Sequence, residues 1–334
     1  MLRPFKLSFA MSLLRNLFTS SIGRKFLMAV TGLVLIGFVT GHLVGNLQIF
    51  SPPDKINGYA HFLQSLGPTL WMMRVFLLVC VAIHLWTGIA LTLENRRARG
   101  PQAYGAKRFL RASLASRTMH LTGLVVLAFL VYHLAHFTIG LAGTDYFKTA
   151  LPKYGMGSEY HLLGFPVVAS GLEVDDVYSM VFIGFSRPLV SLFYVVAVGL
   201  LPYHLWHGVD SMFQSLGWRN GKWAAGLRKV VALYCILYFL GNLAIPAAIL
   251  SGVARPAAGT TAASVLSAGS TSVAQRRSSR HGPTQLADPR RPARRQVAEA
   301  QGGHQAGQPR QQAEVQGHRG RRRPGRFLRR GHPG

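Results

Sequence analysis

Cysteine occurs only twice in the 334 residues, at Cys80 and Cys235. Two thiols inside apolar stretches cannot build a disulfide framework. Nor can they ligate an iron–sulfur cluster, which takes several thiolates. They read as small apolar fillers. Acid is scarce too, with 11 Asp and Glu against 37 Lys and Arg, and charged residues make up only 14% of the chain. No G-x-G-x-x-G fingerprint for a dinucleotide is present. The N-terminus has no small-residue cleavage site after a short apolar core, so no cleavable signal is expected.

Hydrophobic residues, by contrast, make up 49% of the chain and gather in five long runs. These are roughly 26–50, 70–93, 118–141, 188–213 and 230–250. Each is about 20 residues or longer, enough to cross a hydrocarbon core of about 30 Å. A spanning segment must satisfy its own backbone hydrogen bonds, so the runs are expected to be helices. The fold class is therefore an all-α integral membrane protein with five transmembrane helices. Three domains are expected: an N-terminal segment 1–25, a five-helix unit 26–251 and a tail 252–334.

Basic residues set the orientation. Arg15, Arg24 and Lys25 precede the first run, Arg96 to Arg117 separate the second and third, and Arg219 to Lys229 separate the fourth and fifth. The two remaining connections carry Asp54, Asp145, Glu159, Glu173, Asp175 and Asp176. The positive-inside rule places the N-terminus in the cytoplasm. Ser21, Arg24 and Lys25 are expected to meet lipid phosphates or a partner protein. The tail holds sixteen arginines against three acids, with abundant Ala, Gly and Pro. That composition resembles GC-rich DNA read out of frame, or a disordered arm. No nucleic-acid binding is drawn from it.

The chemistry lies in the histidines. TGLVLIGFVTGH (Thr31–His42) recurs as TGLVVLAFLVYH (Thr122–His133), identical at six of twelve positions. HLWTG (His84–Gly88) likewise recurs as HLWHG (His204–Gly208). The first run thus matches the third, and the second matches the fourth. This is a parallel repeat of a two-helix hairpin about an axis along the membrane normal. Equivalent residues then lie at one depth on opposite sides of the axis, so His42 faces His133 and His84 faces His204. A b-type haem needs two axial imidazoles from opposite faces, and a four-helix bundle is a common place for one. The first four helices are therefore expected to form a bundle for two haems b. A zinc site is the rival use of clustered histidines. It leaves His42 and His84 unexplained, and no carboxylate sits deep in the runs to complete it. His136 and His207 are expected to bond haem propionates, quinone or neighbouring helices. Gly37, Gly41, Gly45, Gly88 and Gly208 are read as room for the macrocycle or as helix-packing positions.

These residues resemble a known family, the five-helix dihaem cytochrome b anchors of succinate:quinone oxidoreductases. The resemblance rests on SSIGRKFLMAVTG, GHLVGNLQIF, NGYAHFLQSLG, IHLWTGIALTLENRRARGPQAY and YHLWHGVDSMFQSLGW, and it covers about residues 20–252. It implies that His42 and His133 ligate one haem and His84 and His204 the other, with the latter haem nearer the cytoplasm. It also implies partners: a flavoprotein subunit with FAD, an iron–sulfur subunit, and a membrane quinone such as menaquinone. The location implied is a bacterial cytoplasmic membrane. His61, Asn46 and Gln48 are the quinone candidates. Two other functions fit less of the pattern: a cytochrome b anchor of another respiratory complex, and a polytopic transporter.

Overall fold

The computed structural model describes residues 11–12, 15–100 and 114–280. Five of its helices are long and apolar enough to cross a membrane. They are α1 (Ser21–Asn46), α3 (Pro68–Arg99), α4 (Met119–His133), α6 (Pro188–Ser215) and α7 (Ala224–Leu250). A short helix α2 (Pro53–Ser65) lies between α1 and α3. α5 (Val177–Ser186) precedes α6, and α8 (Thr261–Arg280) follows α7. Large apolar side chains such as Phe76, Leu124, Leu192 and Leu237 point outward from the five long helices, as a lipid-facing surface requires.

Helix ends follow local chemistry. Ser20 caps α1 by accepting the Gly23 N–H at 3.0 Å. Proline opens α3 and α6 at Pro68 and Pro188, where a missing N–H costs nothing. α3 runs past the expected Leu93 to Arg99, because ENRRAR contains no breaker before Gly100, which has φ +72°. α7 likewise starts before the expected Val230, where the Asn220 side chain accepts the Lys222 and Trp223 N–H groups.

The two ends of the bundle differ. One end carries Arg24, Arg97, Arg219 and Lys229. There Arg24 pairs with Glu94, and Ser21 donates to the same carboxylate at 3.0 Å. Ser21 and Arg24 therefore tie α1 to α3, a contact the sequence reading did not include. The other end carries a small folded layer. β1 (Tyr154–Gly155) pairs antiparallel with β4 (Glu173–Val174), and β2 (Tyr160–Leu162) with β3 (Phe165–Val168). The apolar stretch His161–Gly171, too short to span, is thus mostly a surface hairpin. Asp54 on α2 fastens this layer, accepting from Tyr154 Oη at 3.1 Å, Gly157 N–H at 2.8 Å and Ser158 Oγ at 3.0 Å. α5 is apolar and almost wholly buried beneath the layer, capped by the Asp176 side chain.

The tail expected from residue 252 begins later. The Ala257 N–H donates to Tyr178 Oη at 3.1 Å, and the Ala262 N–H donates to Ser179 Oγ at 3.0 Å. Ala262 is 0% exposed and belongs to the same core as Phe182 and Ile249. Small residues let the backbone approach α5 closely enough for these bonds, and composition alone does not reveal that fit. The rest of the expected tail, residues 281–334, lies outside the described residues.

One ion-pair cluster here carries a pH prediction. Asp175 meets Lys153 at 2.5 Å and Lys148 at 3.0 Å. Burial alone would raise its carboxyl, but the two ammonium groups outweigh this and hold it below the ordinary 3.8. A depressed carboxylate pKa adds stability above the unfolded value, and that stability is lost as pH falls through the folded value. Asp175→Asn is therefore expected to lower the melting temperature at neutral pH. The gap to the natural protein should close on titration below about pH 4. A gap constant across that range would count against the ion pairs.

Candidate functional site: histidine pairs across the helix bundle

α3 packs on α1, α1 on α6, and α6 on α4, while α7 braces α6 and α1 from outside. Among the described residues, neither α1 with α4 nor α3 with α6 forms an extensive contact. These two loose diagonals carry the histidines. His42 on α1 meets His133 on α4, with ring centroids 5.7 Å apart and planes at 85°. His84 lies on α3 and His204 on α6, the two helices of the second diagonal. Imidazoles ligating opposite sides of one metal at about 2 Å have centroids roughly 6 Å apart. The spacing of His42 and His133 fits such a pair.

The repeat is visible in matching contacts. Thr31 Oγ1 lies 3.2 Å from His84 Nδ1, and Thr122 Oγ1 lies 3.2 Å from His204 Nδ1. A Cβ on Gly32 or on Gly123 would sit 3.4 Å from Cε1 of His84 or of His204. So the two Thr–Gly pairs each clasp a histidine of the adjacent helix. Each threonine donates its own proton to a carbonyl one turn back, at 2.8 Å from Thr31 to Leu27 and 3.0 Å from Thr122 to Met119. With its proton so placed, the hydroxyl oxygen is free to accept from the histidine, and that arrangement puts the imidazole proton on Nδ1. In a neutral imidazole this leaves Nε2 as a free lone pair for a metal. Among the described residues no three His, Cys, Asp or Glu side chains gather as a metal-holding group. The available donor sets are pairs, the number a haem iron takes from the protein.

The same contacts give the depth order, which residue counting from helix ends leaves open. Thr31 and Thr122 lie level with His84 and His204. His42 and His133 each follow their threonine by eleven residues. At about 1.5 Å per residue, they sit about 16 Å further along the axis, toward the end with the β layer.

The glycines divide. A Cβ on Gly37, Gly41 or Gly88 would meet open space. Gly45 instead admits Tyr59 of α2, whose ring lies 2.7 Å from where its Cβ would be. Gly208 faces Met119.

The surroundings of His42 and His133 are aromatic. Phe38 stacks on His42 at 5.5 Å, and Phe129 and Phe137 flank His133. α4 continues past His133 as a π-helical stretch, Leu134–Ile139, a widening often found at functional sites. It carries His136, which bonds Tyr194 at 3.1 Å and Tyr146 at 2.7 Å. Of the uses expected for His136, a bond to neighbouring elements is the one present. His207 lies three residues before Asp210 on α6, and Asp210 pairs with Arg219 at 3.3 Å.

The quinone candidates are not brought together on a shared partner. His61 is half-buried on α2 and Asn46 ends α1. Gln48 lies in the short helical turn Leu47–Phe50 that follows α1. Reading the sequence missed Tyr194 and Tyr146, since neither sits in the repeat. It found Thr31 and Thr122 as part of a pattern without finding their work. No family model, curated protein or solved structure matches the chain.

Proposed function

We propose that the chain is a dihaem cytochrome b anchor, carrying electrons across the bundle between a hydrophilic redox partner and a membrane quinone. The observation that carries this reading is the pair of loose diagonals, each holding two histidines. In one of them both Nδ1 atoms are engaged so that Nε2 is left for a metal. His84 and His204 would hold one haem b, and His42 and His133 the other. Bound haem would supply a one-electron couple suited to electron transfer.

The remaining features fit that role. Thr31 and Thr122 orient the imidazoles of one centre, and such outer partners raise ligand basicity. The basic end, with Arg96, Arg97, Arg219, Lys222 and Arg228, would face the cytoplasm of a bacterial cell. There it would meet an iron–sulfur subunit joined to an FAD-bearing flavoprotein. Succinate oxidation or fumarate reduction would take place on those partners, because this chain has no thiolate set for a cluster. The quinone, menaquinone in this reading, would react at the chain.

The test is a reduced-minus-oxidised absorption spectrum of membranes holding the chain with its partner subunits. Succinate should raise a b-type α-band that added quinone bleaches. A band with dithionite but not succinate would assign the chain to another respiratory donor. The absence of any band would sink the haem reading, and the histidines would become the polar core of a transporter.

A further inference from the structure

The two histidine pairs are not held alike. His84 and His204 each rest on a threonine. In the other pair, His42 forms no hydrogen bond among the described residues, and His133 Nδ1 lies 3.3 Å from Tyr194 Oη. That hydroxyl also reaches His136 Nδ1 at 3.1 Å, and His136 Nε2 reaches Tyr146 Oη at 2.7 Å. The result is one unbroken line from His133 through Tyr194 and His136 to Tyr146.

Each member is fixed by packing. His136 is 1% exposed, and Tyr194 is buried among Phe129, Phe137 and Phe185. The Tyr146 ring lies under the Arg187 guanidinium, whose carbon is 4.2 Å from the ring centroid, and Arg187 pairs with Asp145. Gly143, at φ +73°, lets Tyr146 fold back, since a Cβ there would meet the phenol ring at 2.3 Å. Gly184 of α5 closes the far side of His136.

The line has only two consistent proton arrangements. Tyr194 has one proton and two histidine neighbours, so it donates to one and accepts from the other. A neutral His136 likewise donates at one nitrogen and accepts at the other. If Tyr146 donates inward, Tyr194 donates to His133 Nδ1, and the His133 proton sits on Nε2. If His133 donates from Nδ1, Tyr194 donates to His136 and His136 to Tyr146. Only the second arrangement leaves His133 Nε2 free.

We propose that Tyr194, His136 and Tyr146 are a positioning chain that holds His133 as an Nδ1–H donor, and so sets the redox potential of the His42/His133 centre apart from the other. This rests on the reading of His42 and His133 as axial ligands. An Nδ1–H given to Tyr194 makes the imidazole a stronger base, which favours the oxidised metal and lowers the potential. The outer anchor of the chain is the Arg187–Asp145 corner, so the β-layer end of the protein acts on this centre alone.

The experiment is a potentiometric titration of the α-band in the assembled full-length complex. Tyr194→Phe should raise the midpoint of one haem component by an amount on the order of a tenfold change in its equilibrium, about 59 mV for one electron. The other component should stay in place. Tyr146→Phe, which keeps the ring under Arg187, should move the same component in the same direction by less. Thr31→Val should move the other component instead. Tyr194→Phe leaving both midpoints in place, or moving both equally, would overturn the proposal. If Tyr194→Phe fails to assemble, Tyr146→Phe decides, and an unmoved midpoint there overturns it. No α-band in the natural protein would overturn the axial reading itself, and this proposal with it. A normal band with unmoved midpoints would overturn this proposal alone.

Discussion

His84→Ala should remove one b-type centre and leave the other, as should His204→Ala. The two replacements should erase the same spectral component. The reason is the diagonal arrangement: α3 and α6 supply one pair, α1 and α4 the other, about 16 Å apart along the axis. Neither replacement disturbs Phe38, Phe129 or Tyr194 around the second pair. Haem per polypeptide should fall by about half, read by pyridine haemochrome on purified complex. His42→Ala and His133→Ala should erase the complementary component. Two haems retained in His84→Ala, or different components lost in His84→Ala and His204→Ala, would break the pairing. Thr31→Val tests the same centre more gently, since it removes only the acceptor of the His84 Nδ1 proton.

Ending the chain after Ala254 should destabilise the β-layer end, whereas ending it after Arg280 should not. The composition of residues 252–334 suggests that all of it is dispensable. The structure divides it. Loss of Ala257 and Ala262 strips the buried Tyr178 and Ser179 hydroxyls of backbone donors, at about 1 kcal/mol or more each. It also uncovers the core face of Phe182, against which Ala262 and Leu266 pack. Together these losses should lower the melting temperature in detergent by several degrees. Tyr146 shares that core, so the longer deletion should also disturb the His42/His133 component more than the His84/His204 one. Equal stability of the two truncations would show that α8 is not part of the fold.

Length and periodicity sufficed for the five spans, since a spanning helix is a local object: about 20 apolar residues satisfy one another's backbone. The repeat was equally legible, because Thr31–His42 and Thr122–His133 agree at six of twelve positions with Thr, Gly and His at the same spacing, and symmetry then implied which histidines face each other. Three things could not be read this way, because each depends on how separate elements pack together. Ser21 and Arg24 are short-range neighbours of lipid in any linear reading, yet meet Glu94 some 70 residues on. Gly45 looks like its neighbours Gly37 and Gly41 but makes room for Tyr59. Tyr194 and Tyr146 reach His136 from a helix and a loop that share no pattern with it. The sequence fixes which histidines exist and at what spacing along each helix. Only packing in three dimensions chooses the partner of each ring nitrogen, because a hydrogen bond of about 3 Å depends on how separate helices come together.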